Sequence, residues 1–243
     1  MLEKLGASLA PGGNFTRAHT RRFRKGEVLI RAGSEVHEWI AISNGAVCLR
    51  VPAAMDTRVA VATLWFGDVV GRGSPLGATI AGYDVTALVD VATIALPATG
   101  PRAGPPEDAS HLYTATAARL NRQIAIRLAG NGPQTLVSVL ATLGSAMARG
   151  GSRVPEENAL AIPVGQARLG ELAGLSRRQA WAYIGELAAA GWIETARTRV
   201  ILRNLSSWLS IHSQVDSRGL HCISTIEAAI ETLTAVTAGA RIR

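Results

Sequence analysis

The 243-residue chain has only two cysteines, Cys48 and Cys222, far apart and without a CxxC neighbour. That excludes the spacing of a cysteine-built zinc or iron–sulfur site. Its five histidines, His19, His37, His111, His212 and His221, are scattered, with no pair four residues apart. Neither a metal nor any other cofactor is therefore expected. No stretch reaches the roughly 18 uninterrupted apolar residues of a membrane-spanning helix. Residues 1–20 also lack the basic-then-apolar order of a secretion signal, so the expectation is a cytoplasmic protein with no membrane partner. No Ser/His/Asp or paired-acid constellation stands out. The glycine-rich stretches Gly12-Gly13 and Gly71-Arg72-Gly73-Ser74 lack the strand-to-helix setting of a phosphate loop, so an enzyme is not expected.

What the chain does have is positive charge. The net charge is +7 with a pI near 10.4, which favours an anionic partner. Lys and Arg exceed Asp and Glu by 11 to 8 over residues 1–106 and by 8 to 5 over residues 133–205. The excess is spread, so local placement has to locate the binding surface.

From Phe23 to about Pro97, short apolar runs recur between turn residues. They are Val28 to Ile30, Trp39 to Ile42, Ala46 to Leu49, Val59 to Ala62, Val69-Val70, Val85 to Val89 and Thr93 to Leu96. Many short strands so punctuated indicate an antiparallel β-roll or jelly roll over residues 1–106. Asn44-Gly45 is a hairpin signal, because both residue types tolerate positive φ. Residues 98–108, with Pro101, Gly104, Pro105 and Pro106, read as a linker. Glu107-Asp108 then open a helix whose apolar stripe is Leu112, Ala115 or Thr116, Leu120, Ile124 and Leu128. Gly130 to Pro133 ends it and begins a helix from Gln134 to about Ala148. Gly150-Gly151-Ser152 is a further break. The fold class is α+β in four parts: the roll (1–106), the helix and hinge (107–132), a compact module (133–205) and a helical extension (206–243). In the extension, a helix from Ser224 to about Thr237 is capped by Ser224 and Glu227. Its Ile223, Ile226, Ile230 and Leu233 stripe docks on the module in cis or extends a dimer interface, the first being favoured.

Residues 164–173 form a short helix with Leu169 and Leu172 on one face. Gly174-Leu175-Ser176 is a tight turn in which Gly174 is the C-cap, Leu175 fills the core and Ser176 caps the next helix. That helix runs from Arg177 to about Ala190 with a buried stripe of Ala180, Ile184, Leu187 and Ala188. Its other face presents Arg177, Arg178, Trp181, Ala182 and Gly185. Two arginines in a first turn oppose the helix dipole, which marks the surface as functional. Arginine can pair with guanine O6 and N7 or with phosphate, and Gln179 can serve adenine or phosphate. Trp181 packs either on a sugar or thymine methyl, or on a neighbouring helix as core. Gly191 to Thr195 and Arg199 to Leu202 read as a hairpin wing that carries Arg197 and Arg199 to backbone phosphates. The DNA-binding set is therefore Arg168, Ser176, Arg177, Arg178, Gln179, Trp181, Ala182, Arg197 and Arg199.

At these residues the chain resembles the CRP/FNR superfamily of bacterial transcription regulators over roughly residues 20–205. In the roll, the resemblance rests on Lys25 to Ile30 leading to Gly33, on Asn44 to Val47, and on Phe66-Gly67-Asp68-Val69-Val70-Gly71. These look like the glycine-framed turns of a cyclic-nucleotide-binding domain. The resemblance implies a homodimer paired through the helix after the roll, two recognition helices about 34 Å apart on a pseudo-palindromic operator, and RNA polymerase as a further partner. It also implies an effector that biases a hinge near Gly130 to Pro133 or Gly150-Gly151.

The departures are specific. The family's Gly-Glu-Leu element becomes Gly71-Arg72-Gly73, and its Arg-Ser pair falls near Tyr83-Asp84. A carboxylate where a cyclic phosphate should sit would repel it. The effector pocket expected at Gly71, Arg72, Gly73, Tyr83 and Asp84 is thus not one for cyclic AMP. The recognition pattern Ser-Arg-Glu-Thr-Val-x-Arg becomes Ser176-Arg177-Arg178-Gln179-Ala180-Trp181-Ala182, so the operator should differ from the family's usual one. The alternative reading keeps the roll as a ligand sensor and makes the C-terminal module a protein-docking domain. Salt-dependent DNA binding separates the two.

Overall fold

Aliphatic and β-branched runs of two to five residues, cut by turn residues, are too short for helices and suit strands that share two packed faces. The computed structural model describes residues 19–53, 57–71, 80–97, 110–149, 158–218 and 223–239. One antiparallel sheet orders β1 (His19–Phe23), β8 (Val91–Pro97), β3 (Glu38–Asn44) and β6 (Val69–Gly71). The other orders β2 (Val28–Ile30), β7 (Asp84–Ala87), β4 (Ala46–Pro52) and β5 (Arg58–Trp65). Ile42, Val47, Leu49, Leu64, Val70 and Val85 are buried and form the core of this roll. Each apolar run read from the sequence holds a strand. The strand β1 was not expected, because His19 to Arg22 is polar. Pairing with β8, Arg21 opposite Thr93, holds it as an edge strand.

Asn44-Gly45 is not a hairpin turn. β3 and β4 lie in different sheets, so the chain turns a corner there instead of folding back on itself. Gly45 takes φ 83° while Asn44 does not enter the left-handed region. A Cβ on Gly45 would stand 2.3 Å from the Asp90 carbonyl oxygen. Close backbone approach, added to the positive φ, is what requires glycine.

The chain divides into two compact units: residues 1–57 with 64–119, and residues 58–63 with 120–243. The boundary falls within the helix α1 (Ser110–Ala129), and residues 206–243 belong to the second unit. In the first unit, Asp68 is fully buried and accepts from the Trp65 N–H at 2.8 Å, the Thr116 hydroxyl at 3.2 Å and Arg119 Nε at 2.6 Å. The Arg119 guanidinium also lies 5.2 Å over the Trp65 ring. In the second unit, Gln123 accepts from the Thr63 N–H and donates to the Thr63 carbonyl, both at 2.8 Å.

The apolar stripe expected along α1 does not stay on one face. Thr116 and Leu120 are buried, whereas Ile124 and Leu128 are 39% and 82% exposed. Steps of four residues overrun the 3.6-residue turn by about 40° each, so such a line winds round the helix.

The second unit continues with α2 (Gly132–Arg149), β9 (Leu160–Ile162), α3 (Gln166–Ala173), α4 (Arg177–Ala189), β10 (Ile193–Ala196), β11 (Arg199–Leu202), α5 (Leu205–Arg218) and α6 (Ile226–Thr237). Asn131 caps α2: its Oδ1 accepts from the Gln134 N–H at 2.9 Å, and Gln134 Oε1 accepts from the Asn131 N–H at 3.0 Å. The same asparagine donates to the carbonyls of Ile223 and Ser224. The turn expected as a hinge is thus hydrogen-bonded to the C-terminal segment in this structure.

The extension packs in cis, α6 against α5, α2 and α4, with Ile223, Ile226, Ala229 and Leu233 buried. Its cap is one residue later than expected. Thr225, not Ser224, accepts from the Ala228 N–H at 3.2 Å. The Thr225 hydroxyl holds the Glu227 carboxyl below its ordinary range. The linker at 98–108, Glu107-Asp108, the break at 150–152, Gly12-Gly13, His221 and Cys222 lie outside the described residues.

Candidate nucleic-acid interface

The segment α3–turn–α4 is built by local chemistry. Gly174 takes φ 69°, and the N–H groups of Gly174 and Leu175 reach back to the carbonyls of Glu171 and Gly170 at 3.1 and 2.9 Å. This left-handed stop leaves no helical path onward. Ser176 restarts the helix through a capping box: its Oγ accepts from the Gln179 N–H at 3.3 Å, and Gln179 Oε1 accepts from the Ser176 N–H at 3.2 Å. The two helices meet at Gly170, where a Cβ would stand 2.8 Å from the Ala180 Cβ. Gly170→Ala should therefore overpack this crossing and cost about 1–3 kcal/mol. A urea unfolding curve measures the loss, and adding Ala180→Gly should restore part of it.

The stripe Ala180, Ile184 and Leu187 is buried as expected, with Ala188 half-buried. Leu175 is half-buried too. Arg177, Arg178, Trp181, Ala182 and Gly185 are all exposed. Trp181 is 52% exposed, which removes the reading that packs it as core against a neighbouring helix. The Arg177 guanidinium lies 5.1 Å over its ring.

The arginines around the helix-turn-helix and the wing differ in their commitments. Arg168 pairs with Glu171 at 2.5 Å, Arg203 pairs with Glu194, and Arg127 donates to the Leu172 carbonyl at 2.7 Å. These three are committed to the fold. The side chains of Arg178, Arg197 and Arg199 have no hydrogen-bond or ion-pair partner among the described residues. Arg197 sits at the tip between β10 and β11, and Arg199 pairs with Ala196 across the hairpin. The wing has a third strand, β9, antiparallel to β11.

Two sequence-selected residues thus have structural work. Gln179 spends its amide oxygen on the cap, so the paired acceptor and donor that adenine needs are not both free. Arg168 is half-buried beside Glu171, and that acid three residues on was the available signal.

Of the expected effector set, Gly71 takes φ 93°, and a Cβ there would stand 2.3 Å from the Glu38 carbonyl oxygen. Tyr83 is buried, and Asp84 Oδ1 accepts from the Ala32 N–H at 2.7 Å. The Asp84 carboxylate anchors the chain after β2. Arg72 and Gly73 lie outside the described residues. Among the described residues no three His, Cys, Asp or Glu side chains gather into a metal-holding group, and no helix is long and apolar enough to cross a membrane.

Residues 20–100 match the family model of the cyclic nucleotide-binding domain. No curated protein matches the chain by sequence. Among solved structures, a CRP/FNR-family transcriptional regulator of Thermus thermophilus is 19% identical with a TM-score of 0.59, covering 80% of this chain and 98% of its own. A second regulator of the same organism, of the CRP family, is 18% identical with a TM-score of 0.61, covering 79% and 96%. FixK2 of Bradyrhizobium japonicum is 19% identical with a TM-score of 0.58, again covering 79% and 96%. The chain therefore carries a cyclic-nucleotide-binding-type β-roll and, over about four-fifths of its length, the fold of the CRP/FNR transcription regulators.

Proposed function

We propose that this chain is a sequence-specific DNA-binding transcription regulator that acts as a homodimer on a pseudo-palindromic operator. The observation that carries the reading is the sorting of the arginines. Within residues 158–203, Arg168 and Arg203 are held by acids, while Arg178, Arg197 and Arg199, on the first turn of α4 and on the wing, have no partner among the described residues. These are the elements that a winged helix-turn-helix offers to a major groove and to the flanking phosphates. Dimerisation is assigned to α1, on which Ile124 and Leu128 are exposed. The effector is assigned a chemistry other than cyclic AMP, because Asp84 brings a carboxylate close to where the family's phosphate-binding arginine falls, and that carboxylate is fixed by the Ala32 N–H.

The test is fluorescence anisotropy with duplex DNA across a salt series, on the wild type and on arginine variants. Binding should weaken steeply with salt, the log–log slope being about −0.9 per phosphate contact. Arg197→Ala and Arg199→Ala should each make the slope shallower by about one and weaken all sequences alike. Arg177→Ala should cost about 1–3 kcal/mol on a selected operator and relax its sequence preference. Binding to DNA that is absent, or indifferent to salt and to these substitutions, overturns the reading.

A further inference from the structure

Trp181 is left unexplained by a generic winged helix-turn-helix. Its indole is 52% exposed while the buried stripe of the same helix passes through Ala180, Ile184 and Leu187. A large aromatic in water on a helix whose core face is already complete marks a contact surface. It lies four residues after Arg177, on the same face, and the guanidinium carbon is 5.1 Å above the ring centroid. Cation–π contact covers one face of the guanidinium and leaves its in-plane N–H donors pointing outward. It also offsets the unfavourable helix dipole at Arg177. The neighbours on this face are small: Ala182 is exposed, and nothing lies within 4 Å of a Cβ placed on Gly185. Gln179 is held in the capping box. The contact that discriminates between bases then falls to the stacked pair.

We infer that Arg177 and Trp181 act as one reading unit for a guanine with an adjacent thymine. The guanidinium fork takes guanine O6 and N7, and the indole edge packs on the thymine 5-methyl group. In the major groove only guanine shows two acceptors side by side, and only thymine shows a methyl group. A donor fork laid against an exposed apolar plate therefore matches that step and no other pair of edges as well. A phosphate would need no plate, and Arg178, without a partner among the described residues, is available to one. The inference rests on the DNA-binding reading above and adds the sequence that is read.

The test is selection of duplexes from a random library by the full-length protein, then anisotropy on the selected site. Thymine beside the half-site guanine is replaced by uracil, which removes only the methyl group. The wild type should bind the thymine duplex about fourfold more tightly than the uracil duplex, the equivalent of one buried methyl group. Trp181→Ala should bind both alike, with an unchanged salt slope and an unchanged far-ultraviolet circular dichroism spectrum. If the wild type selects a site with no thymine beside the guanine, or Trp181→Ala keeps the thymine preference, the inference falls while DNA binding stands. If the wild type shows neither selection nor salt-dependent binding, the DNA-binding reading falls and takes the inference with it.

Discussion

Replacing Trp208 with alanine should cost about 3–5 kcal/mol of stability, the range for emptying a core tryptophan site. Trp208 lies on α5 with no exposed surface, and its indole N–H donates to the Arg203 carbonyl at 3.0 Å. Arg203 is the residue after β11, and its own N–H donates to the Trp192 carbonyl. The variant would thus empty a core site and strip a partner from the strand that closes the wing. Against a typical total of about 5–15 kcal/mol for a domain, that is a large fraction. Urea unfolding followed by circular dichroism should show the midpoint falling far below wild type. Trp208→Phe should fall between the two, because it keeps most of the apolar volume and loses the N–H. A Trp208→Ala midpoint equal to wild type would return α5 to the status of an appendage.

That status is what the sequence suggests when residues from 206 onward are set apart as an extension. The opposite signal is present in Leu205, Trp208, Ile211 and His212, all buried and spaced by three, three and one. This is one helical face. It goes unread because a winged helix is already complete at Leu202 without it. The other missed elements, β1 and β9, fail for different reasons. β1 is polar along most of its length, and its pairing with β8 makes it a strand where local sequence gives no signal. β9 is an apolar run as short as β2 and β6, with Leu160 and Ile162 buried and Ala161 exposed, so its signal is present in the sequence and goes unread between the break at 150–152 and the helix that follows.

The elements read correctly are those whose local chemistry and tertiary role agree. Gly174 stops α3 by its left-handed φ, and Ser176 starts α4 by capping. Both are consequences of side-chain type at one position. Residue type does not say which side chain is already spoken for. Gln179 and Arg168 have the right chemistry for bases and phosphates, and the fold uses both internally. Trp181 errs the other way. Tryptophan is more often core than surface, and only the packed helix shows this one in solvent with Arg177 above it.

The second large effect is expected at Arg119. Arg119→Ala should cost about 3 kcal/mol near neutral pH, the lower end of the range for breaking a buried ion pair, because the guanidinium keeps some contact with solvent. What remains is Asp68, fully buried and holding, among the described residues, the Trp65 N–H and the Thr116 hydroxyl. Burial already pushes the Asp68 carboxyl above its ordinary value, and the charge of Arg119 is the largest influence pulling it back. Without Arg119 it rises further. A carboxyl raised on folding contributes stability below the unfolded-state value of about 3.9 and loses it as the pH climbs through the folded-state value. The deficit of the variant should therefore be smallest in acid and widen toward neutrality. Urea midpoints of both proteins at pH 5 and pH 8 measure this directly. Asp68→Asn combined with Arg119→Ala removes the titrating group, and the widening should vanish. A deficit that is flat with pH in the single variant would mean that Asp68 finds another cation when Arg119 is gone, and that the turn at Phe66-Gly67-Asp68 is held to α1 by packing and neutral hydrogen bonds alone.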